Sequence, residues 1–155
     1  MDETYCIAPA DHPSICGEVR EFVCRLQTEQ RFFGPTARRN PKPSRSLLDA
    51  LCRRGGFRLA AVEHGRIIGL ARVDDDGELF IAVDAEHRRH GIGTALGRMA
   101  VIRAVDIGHR RLVMRTTRRS HAAQRVGEEL GCVVIHGHRG RTELILDLMT
   151  VERIA

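Results

Sequence analysis

The sequence contains no tryptophan and a single tyrosine, and aromatic residues make up only 4% of the chain. Proteins that bind single-stranded nucleic acids interleave basic side chains with aromatic rings on which the bases stack. Phe32 and Phe33 are the only such grouping in this sequence. We therefore expect no nucleic-acid partner, and interpret the formal charge of +5 as a solvated surface that also suits a small anionic ligand.

Long apolar runs are also missing. No window of about 18 apolar residues occurs, so we expect no helix that spans a membrane and no membrane partner. The first residues, Met1-Asp-Glu-Thr4, lack the basic start and apolar core of a signal peptide, which favours a cytoplasmic location. With 43% apolar and 29% charged residues, the composition is typical of a globular protein, and we expect residues 1–155 to form one domain.

Closely spaced cysteine pairs are absent as well. The five cysteines are odd in number and none forms a C-x-x-C pair; they are Cys6, Cys16, Cys24, Cys52 and Cys132. A disulfide framework or a zinc site would require tighter pairing. We therefore expect free, mostly buried thiols and no metal. A catalytic cysteine has little support.

The strongest local pattern lies between Glu78 and Leu96. The uninterrupted apolar run 79–83 predicts a strand that is covered on both faces. From Ile92 onward, apolar residues recur at helical spacing and predict a helix whose buried face contains Ala95, Leu96, Met99, Ile102 and Val105. A helix N-terminus attracts anions, and glycine allows a phosphate to approach the backbone. The turn between strand and helix therefore predicts a diphosphate site.

Two other phosphate-binding loops fit this turn less well. A P-loop requires a lysine directly after its second glycine, whereas Gly93 is followed by Thr94, and Lys42 is the only lysine in the chain. A dinucleotide fingerprint requires a third glycine where this sequence has Leu96. Both alternatives are set aside.

Hydrophobic periodicity and turn residues predict the element order β-α-α-β-β-β-α-β-α-β-β. Asp11 is the expected cap of the first helix, and the segment 30–43, with its three prolines, is an expected loop. The predicted strands are 4–8, 57–63, 66–73, 79–83, 111–116, 132–135 and 143–149. The predicted helices are 13–28, 46–53, 92–107 and 121–130.

At this point the residues resemble a known family. The pattern Arg88-x-x-Gly91-x-Gly93, five residues after the end of an apolar strand, resembles the Q/R-x-x-G-x-G/A signature of the GNAT N-acetyltransferases. The resemblance extends over about 57–134. It implies an α+β fold in which a central, mostly antiparallel, splayed sheet is flanked by about four helices. It also implies an opening between the fourth and fifth strands that admits the pantetheine arm of acetyl-CoA.

The resemblance further implies acetyl-CoA as cosubstrate, with no metal. In the family, backbone N–H groups of the signature segment hold the diphosphate, and the edge of the central strand binds the pantetheine amides and polarises the thioester carbonyl. Ser120 stands where the family often has an asparagine that contacts the cofactor. The implied cofactor-binding residues are Ile81, Val83, Arg88, Arg89, His90, Gly91, Ile92, Gly93, Thr94 and Ser120.

Glu78 is the candidate catalytic residue. The motif Arg31-Phe-Phe-Gly-Pro35 and the spacing from Glu78 to Arg88 resemble the catalytic domain of bacterial protein lysine acetyltransferases, where a glutamate at this position is the general base. Such a base is useful because fewer than about one in a thousand alkyl amines is unprotonated at neutral pH. The alternative interpretation is an acidic residue at a strand end, paired with a surface arginine.

One position departs from the family. Gly127 stands where many members have a tyrosine that protonates the CoA thiolate. Another donor or a water replaces it, the thiolate leaves unassisted, or catalysis has been lost. Glycine inside a helix costs about 1 kcal/mol relative to alanine, which suggests that space is needed there, but the sequence does not indicate what fills it.

These observations favour an enzyme that moves an acetyl group from acetyl-CoA to a primary amine, with a protein lysine as the favoured acceptor, by direct transfer in a ternary complex. A small-molecule amine acetyltransferase and a catalytically weakened CoA-binding regulatory module remain as alternatives. The expected partners are acetyl-CoA and the amine acceptor, and a homodimer is left open.

Overall fold

Seven strands and four α-helices make up the part of the chain that the computed structural model describes, residues 4–32, 45–88 and 90–149. The predicted element order is confirmed. The strands are β1 (Tyr5–Pro9), β2 (Phe57–Glu63), β3 (Arg66–Val73), β4 (Leu79–Val83), β5 (Arg111–Thr117), β6 (Val133–His136) and β7 (Arg141–Asp147). The helices are α1 (Cys16–Phe32), α2 (Arg45–Cys52), α3 (Ile92–Ile107) and α4 (His121–Leu130).

The strands form two antiparallel sheets. The first has the order β1-β2-β3-β4 and the second the order β5-β7-β6. The sheets meet where Glu78 forms a parallel bridge with Val113, and the Val113 N–H donates to the Gly77 carbonyl over 3.0 Å. Beyond this bridge, no described residues of β4 and β5 pair with each other. The opening predicted between the fourth and fifth strands is therefore confirmed.

Both faces of β4 pack against other parts of the protein. Leu79 belongs to the larger hydrophobic core, which lies under α3, and Ile81 and Val83 pack against it. Ala82 belongs to the core formed with α1 and α2, against which Phe80 packs. Because successive side chains of a strand point to opposite faces, a strand covered on both sides must be apolar throughout, as the run 79–83 is.

The buried face of α3 differs from the predicted one. Met99 and Ile102 are 41% and 56% exposed, although they were expected inside. Leu96 is buried as predicted, but the buried face otherwise contains Gly97, Ala100, Val101 and Ala104. Small residues let the helix lie close to its neighbours: a Cβ added at Gly97 would lie 2.9 Å from Leu130 of α4. The prediction was right for Leu96 and wrong for Met99 and Ile102, because α3 is apolar on most sides and periodicity alone did not distinguish the face with small residues.

The start of α1 also differs from the prediction. Asp11 does not cap it: the Asp11 carboxylate accepts from the Arg58 N–H over 2.6 Å and pairs with Arg103 over 3.4 Å. Instead, His12 caps a short 3-10 turn, Pro13–Ile15, that precedes the helix. At its other end the helix continues into the predicted loop 30–43, of which 33–43 lies outside the described residues.

The cysteines are free, as predicted, but they are not mostly buried. Cys6 lies on the edge strand β1, and three others are exposed on α1 and α2. The prediction rested on the general tendency of free cysteines to be buried, which does not reveal on which face of a helix or strand a given cysteine lies. Cys132 is partly buried, and burial raises the pKa of its thiol, which makes it a poor nucleophile.

None of the described helices is both long and apolar enough to cross a bilayer.

Two glycines at turns provide a test of how closely the backbone at Gly56 approaches β3. Gly56 and Gly65 both have positive φ, 65° and 73°, but a Cβ at Gly56 would lie 1.9 Å from the Val73 carbonyl oxygen, whereas Gly65 has open space. Gly65→Ala should cost about 1–2 kcal/mol of stability through its left-handed backbone alone. Gly56→Ala should cost about 1–3 kcal/mol more through the clash. Thermal denaturation of both variants measures the difference, and equal losses would contradict the close approach of Gly56 to β3.

Candidate active site between the two sheets

The predicted diphosphate segment begins α3. Gly91 has φ 78° and ψ 6°, and the first helical hydrogen bond runs from the Ala95 N–H to the Gly91 carbonyl over 3.0 Å. The N–H groups of residues 92–94 precede this bond, so the helix supplies no acceptor for them. They also stand at the positive end of the helix dipole. This geometry is suited to binding an anion through the main chain.

The side chains of this segment leave the main chain accessible. Ile92 and Thr94 are buried, and a Cβ added at Gly91 would meet no atom within 4 Å. Gly93 lies between the end of β4 and α4, because a Cβ there would be 3.5 Å from Val126 and 3.8 Å from Val83. The segment therefore lies at the opening, with backbone rather than side chains on its free side. Such a surface fits a diphosphate group.

Arg88 and His90 occupy the turn itself. The Arg88 Nε donates to the Val83 carbonyl over 3.1 Å and ties the turn to the end of β4. His90 is exposed. Arg89 lies outside the described residues, as do 33–35 of the motif that begins at Arg31. Their predicted roles stay predictions.

Ile81 and Val83 turn their backbone groups toward the opening. The residues on either side of β4 show which positions hydrogen-bond to the β3 side. The Asp84 N–H donates to the Ile68 carbonyl, and the Glu78 carbonyl accepts from the Asp74 N–H, so the even-numbered positions face β3. Because alternate residues of an antiparallel strand bond to the same neighbour, Ile81 and Val83 face the other way. Beyond the Glu78 bridge no described strand pairs with them there. Both N–H groups and the Ile81 carbonyl are thus available to an extended ligand, whereas the Val83 carbonyl already accepts from Arg88.

Glu78 lies at the point where the two sheets diverge. Its Oε1 accepts a hydrogen bond from the Arg115 Nη1 over 2.5 Å, and Arg115 also lies 3.8 Å from the Glu143 carboxylate. The hydrogen bond to Glu78 raises the pKa of Arg115. This is the pairing that the alternative interpretation of Glu78 predicts. Arg115 is 61% exposed, so solvent weakens the pair and an incoming group can compete for the carboxylate.

Ser120 lies at the same end of the opening as the diphosphate segment. Because β4 and β5 run parallel at their bridge, the C-terminal end of each strand points the same way, and Ser120 follows β5 at the N-cap of α4. Its side chain makes no capping hydrogen bond. The hydroxyl is therefore not committed to the helix.

Leu144 explains the glycine in α4. Gly127 is buried, and a Cβ added there would lie 2.8 Å from the Leu144 Cδ1. Leu144 is itself fully buried on β7. A tyrosine at position 127 would require this leucine to move. Sequence reasoning missed the contact because the two residues are brought together only by the packing of α4 on the second sheet.

Sequence reasoning also missed a charged cluster at the turn that precedes the diphosphate segment. The two ring nitrogens of His87 contact the Asp84 carboxylate at 2.5 Å and the Glu63 carboxylate at 2.7 Å. Thr4 donates to Glu63 over 2.7 Å, and Arg25 lies 3.9 Å from Asp84. We call these five residues the His87 cluster. It joins α1, the end of β2 and the residue before β1 to the turn after β4.

Metal ligands are not grouped at this site. Within 4–32, 45–88 and 90–149, no group of three or more His, Cys, Asp or Glu residues is arranged to hold a metal ion. The chemistry that the described arrangement supports rests on backbone donors, one carboxylate and one guanidinium.

The contact between Gly127 and Leu144 can be tested by a double-mutant cycle. Gly127→Ala should destabilise the protein, because overpacking at about 1–3 kcal/mol exceeds the gain of about 1 kcal/mol in helix propensity. In a Leu144→Ala background the same change should stabilise it. Urea denaturation measures both, with Gly17→Ala, where a Cβ meets open space, as the control. The same effect in both backgrounds would contradict the contact.

Known proteins share both the sequence pattern and this geometry. The profile described as acetyltransferase (GNAT) family matches residues 21–141. A search of curated protein sequences gives no significant match.

Several solved structures share the fold. The GNAT domain of S. lividans PAT is 19% identical, with a TM-score of 0.70 over 91% of this chain and 89% of that one. The protein yncA from Salmonella typhimurium, solved with its cofactor acetyl-CoA, is 20% identical, with a TM-score of 0.69 over 94% and 95%. An N-acetyltransferase from Staphylococcus aureus Mu50 is 16% identical, with a TM-score of 0.66 over 93% and 98%. The family profile covers well over half of the sequence, and the chain therefore belongs to the acetyltransferase (GNAT) family and uses acetyl-CoA as its cosubstrate.

Proposed function

We propose that the protein acetylates the side-chain amine of a protein lysine, by direct transfer from acetyl-CoA in a ternary complex, with Glu78 as general base. The observation that carries this proposal is the position of Glu78 at the closed end of the opening, directly before β4, whose Ile81 and Val83 N–H groups face that opening. Three residues of a strand span about 10 Å. An amine lying between Glu78 and Ile81 can reach the carboxylate directly or through one water.

Each step of the transfer then has a residue or a backbone group to support it. Glu78 takes a proton from the ammonium group, and the amine nitrogen bonds to the thioester carbonyl carbon. The N–H groups on the free edge of β4 stabilise the negative charge on the carbonyl oxygen, an effect worth roughly 3–4 kcal/mol for one well-placed donor. The carbon–sulfur bond breaks as the amide forms, and the nitrogen releases its second proton to solvent. With glycine at 127, the thiolate leaves unassisted and is protonated by solvent, since a thiol pKa of about 8.5 makes it a fair leaving group.

The outer face of the second sheet supports a protein as the acceptor. We define this face by Arg115, Val133, Ile135 and Glu143. Val133 and Ile135 are 65% and 48% exposed, and Glu143 lies opposite Ile135 on β7 and contacts Arg115, the partner of Glu78. Adjoining exposed apolar side chains with a polar rim are typical of protein-binding surfaces. The resemblance to bacterial protein lysine acetyltransferases points to the same acceptor.

Replacing Glu78 with glutamine tests the general base. Glu78→Gln should lower kcat by about 10²–10⁴-fold, because the amine loses its proton acceptor, while the Kd for acetyl-CoA stays nearly unchanged. Thiol release and calorimetry measure the two quantities. Asp76→Asn, in the exposed turn before β4, is the matched control and should keep full turnover. Unchanged turnover of Glu78→Gln at every pH would remove Glu78 from the mechanism.

A second variant separates the two interpretations of Glu78. If Glu78 serves only to pair with Arg115, then Arg115→Ala should reproduce the defect of Glu78→Gln. If Glu78 is the base, Arg115→Ala should retain far more activity than Glu78→Gln, because the carboxylate remains and loses only an exposed partner. Equal losses in the two variants would favour the structural interpretation.

A variant on the outer face of the second sheet tests whether the acceptor is a protein. Ile135→Glu should raise KM for a lysine-containing protein acceptor about 10-fold or more, as expected for an apolar contact residue replaced by a charge, and leave KM for acetyl-CoA unchanged. Ile107→Glu on α3, where the residue is 57% exposed, is the control and should have no effect. A panel of proteins and small amines identifies the acceptor. Activity with small amines alone, insensitive to Ile135→Glu, would contradict a protein acceptor.

The contact of Gly127 with Leu144 favours one other candidate function, a CoA-binding regulatory module with weakened catalysis. Such a module would be stabilised by acetyl-CoA in a thermal-shift assay without acceptor-dependent thiol release. The same acceptor panel therefore distinguishes the two, because the proposed enzyme must release CoA when a suitable lysine is supplied.

A further inference from the structure

We propose that His87 is a positioning residue that is held as an imidazolium between two carboxylates, and that its charge keeps the diphosphate-binding turn in its binding conformation. Acetyl-CoA affinity should therefore fall as the pH rises through the titration of this histidine. None of the predicted roles includes His87, and the inference does not depend on the identity of the acceptor.

The geometry of the ring requires two N–H donors. His87 Nδ1 lies 2.5 Å from the Asp84 Oδ1, and Nε2 lies 2.7 Å from the Glu63 Oε2. A neutral imidazole has one N–H and one lone pair, and a carboxylate is an acceptor only. One of the two contacts would then bring two acceptors together. Protonation of the ring satisfies both contacts as charge-assisted hydrogen bonds.

The groups around the ring favour its positive charge. Asp84, at the end of β4, is 5% exposed, and Glu63 closes β2. Arg25 on α1 faces Asp84 from the other side at 3.9 Å and donates to the Ile67 carbonyl over 2.5 Å. His64 acts on Glu63 from the hairpin, and Thr4 donates to it. Two carboxylates and one guanidinium in the cluster leave one negative charge, which the imidazolium neutralises.

The pKa shifts agree with this geometry. Desolvation is the largest single influence on His87 and opposes its charged form, but hydrogen bonds to Asp84 and Glu63 outweigh it and raise the pKa of His87 above its usual value. Hydrogen bonds from Thr4 and His87 lower the pKa of Glu63. Each partner therefore stabilises the charged form of the other.

The cluster is connected to the diphosphate segment through the backbone. The Asp84 carboxylate also accepts from the His87 backbone N–H over 3.1 Å and so caps the 3-10 turn Ala85–His87. The next residue, Arg88, is tied to the Val83 carbonyl. The ring of His87 thus fastens this turn to the end of β2, directly before the donors of 90–94. Loss of the ring's charge leaves the buried Asp84 with a weaker partner at the base of the turn.

The direction of the pH dependence follows from the two shifts. His87 has a raised pKa, so its stabilising effect is complete below the usual histidine value of about 6.5 and is lost as the pH rises through the raised value. Glu63 has a lowered pKa, so its effect is complete above about 4.3 and is lost as the pH falls through the lowered value. The cluster is therefore fully formed between these limits and weakens at alkaline pH.

Calorimetric titration with acetyl-CoA from pH 6.5 to pH 9.5 tests the proposal on the full chain. The Kd of the wild type should rise about tenfold over this range, the effect expected for losing one charge-assisted hydrogen bond. His87→Gln should bind about tenfold more weakly at the low end and show little further change. His138→Gln, an exposed histidine outside the cluster, should follow the wild type.

Nitrogen NMR of the His87 ring supplies a second readout that does not require a variant. Both ring nitrogens should be protonated at pH 7, and the midpoint of their titration should coincide with the midpoint of the rise in Kd. A neutral His87 ring at pH 7, or parallel pH profiles for wild type and His87→Gln, would overturn the proposal. Wild type that does not bind acetyl-CoA would overturn it as well, whereas binding without turnover would contradict only the proposed function.

Discussion

The single parallel bridge between Glu78 and Val113 is the constraint on which the rest of the site depends. Because the described residues of β4 and β5 pair only there, the N–H groups of Ile81 and Val83 face the opening without a strand partner, on a strand whose side chains pack against a core on each face. Packing of its side chains on both faces holds β4 in place, and the divergence of β5 from β4 leaves the edge of β4 open. These two properties together allow an extended ligand to add to the sheet as a strand would, with the candidate base at the closed end of the opening.

The two ends of the opening are held by different interactions. At the closed end, the Arg115 side chain is 61% exposed, so its ion pair with Glu78 can exchange partners, as the proposed role of Glu78 as proton acceptor requires. At the other end, the diphosphate segment presents backbone donors at the start of α3, and the His87 cluster that precedes it is partly shielded from solvent, with the Asp84 side chain 8% and the His87 side chain 24% exposed. The candidate site therefore combines a preorganised segment, proposed to bind acetyl-CoA, with a more adaptable ion pair at the proposed acceptor end, and preorganisation lowers the cost of binding.

Sequence patterns predicted those features that depend on local chemistry. The strand 79–83, the start of α3 after Gly91 and the span of α4 follow from apolar runs, periodicity and terminal glycines, and all were confirmed. Features that depend on long-range packing were missed or predicted wrongly. The buried face of α3, the role of Asp11 and the exposure of the cysteines depend on which surfaces meet. Leu144 against Gly127 and Glu63 against His87 join residues that are far apart in the sequence, so no local pattern indicates them.

The central claim is that the main chain of 91–94 binds the diphosphate of acetyl-CoA. Backbone amide NMR during titration with acetyl-CoA, compared with acetylated pantetheine that lacks the diphosphate, tests it most directly. We expect large shifts at Gly91, Gly93 and Thr94 with acetyl-CoA and small ones with the pantetheine compound, while amides on the free edge of β4 respond to both. Saturable binding that leaves the amides of 91–94 unchanged would contradict the claim.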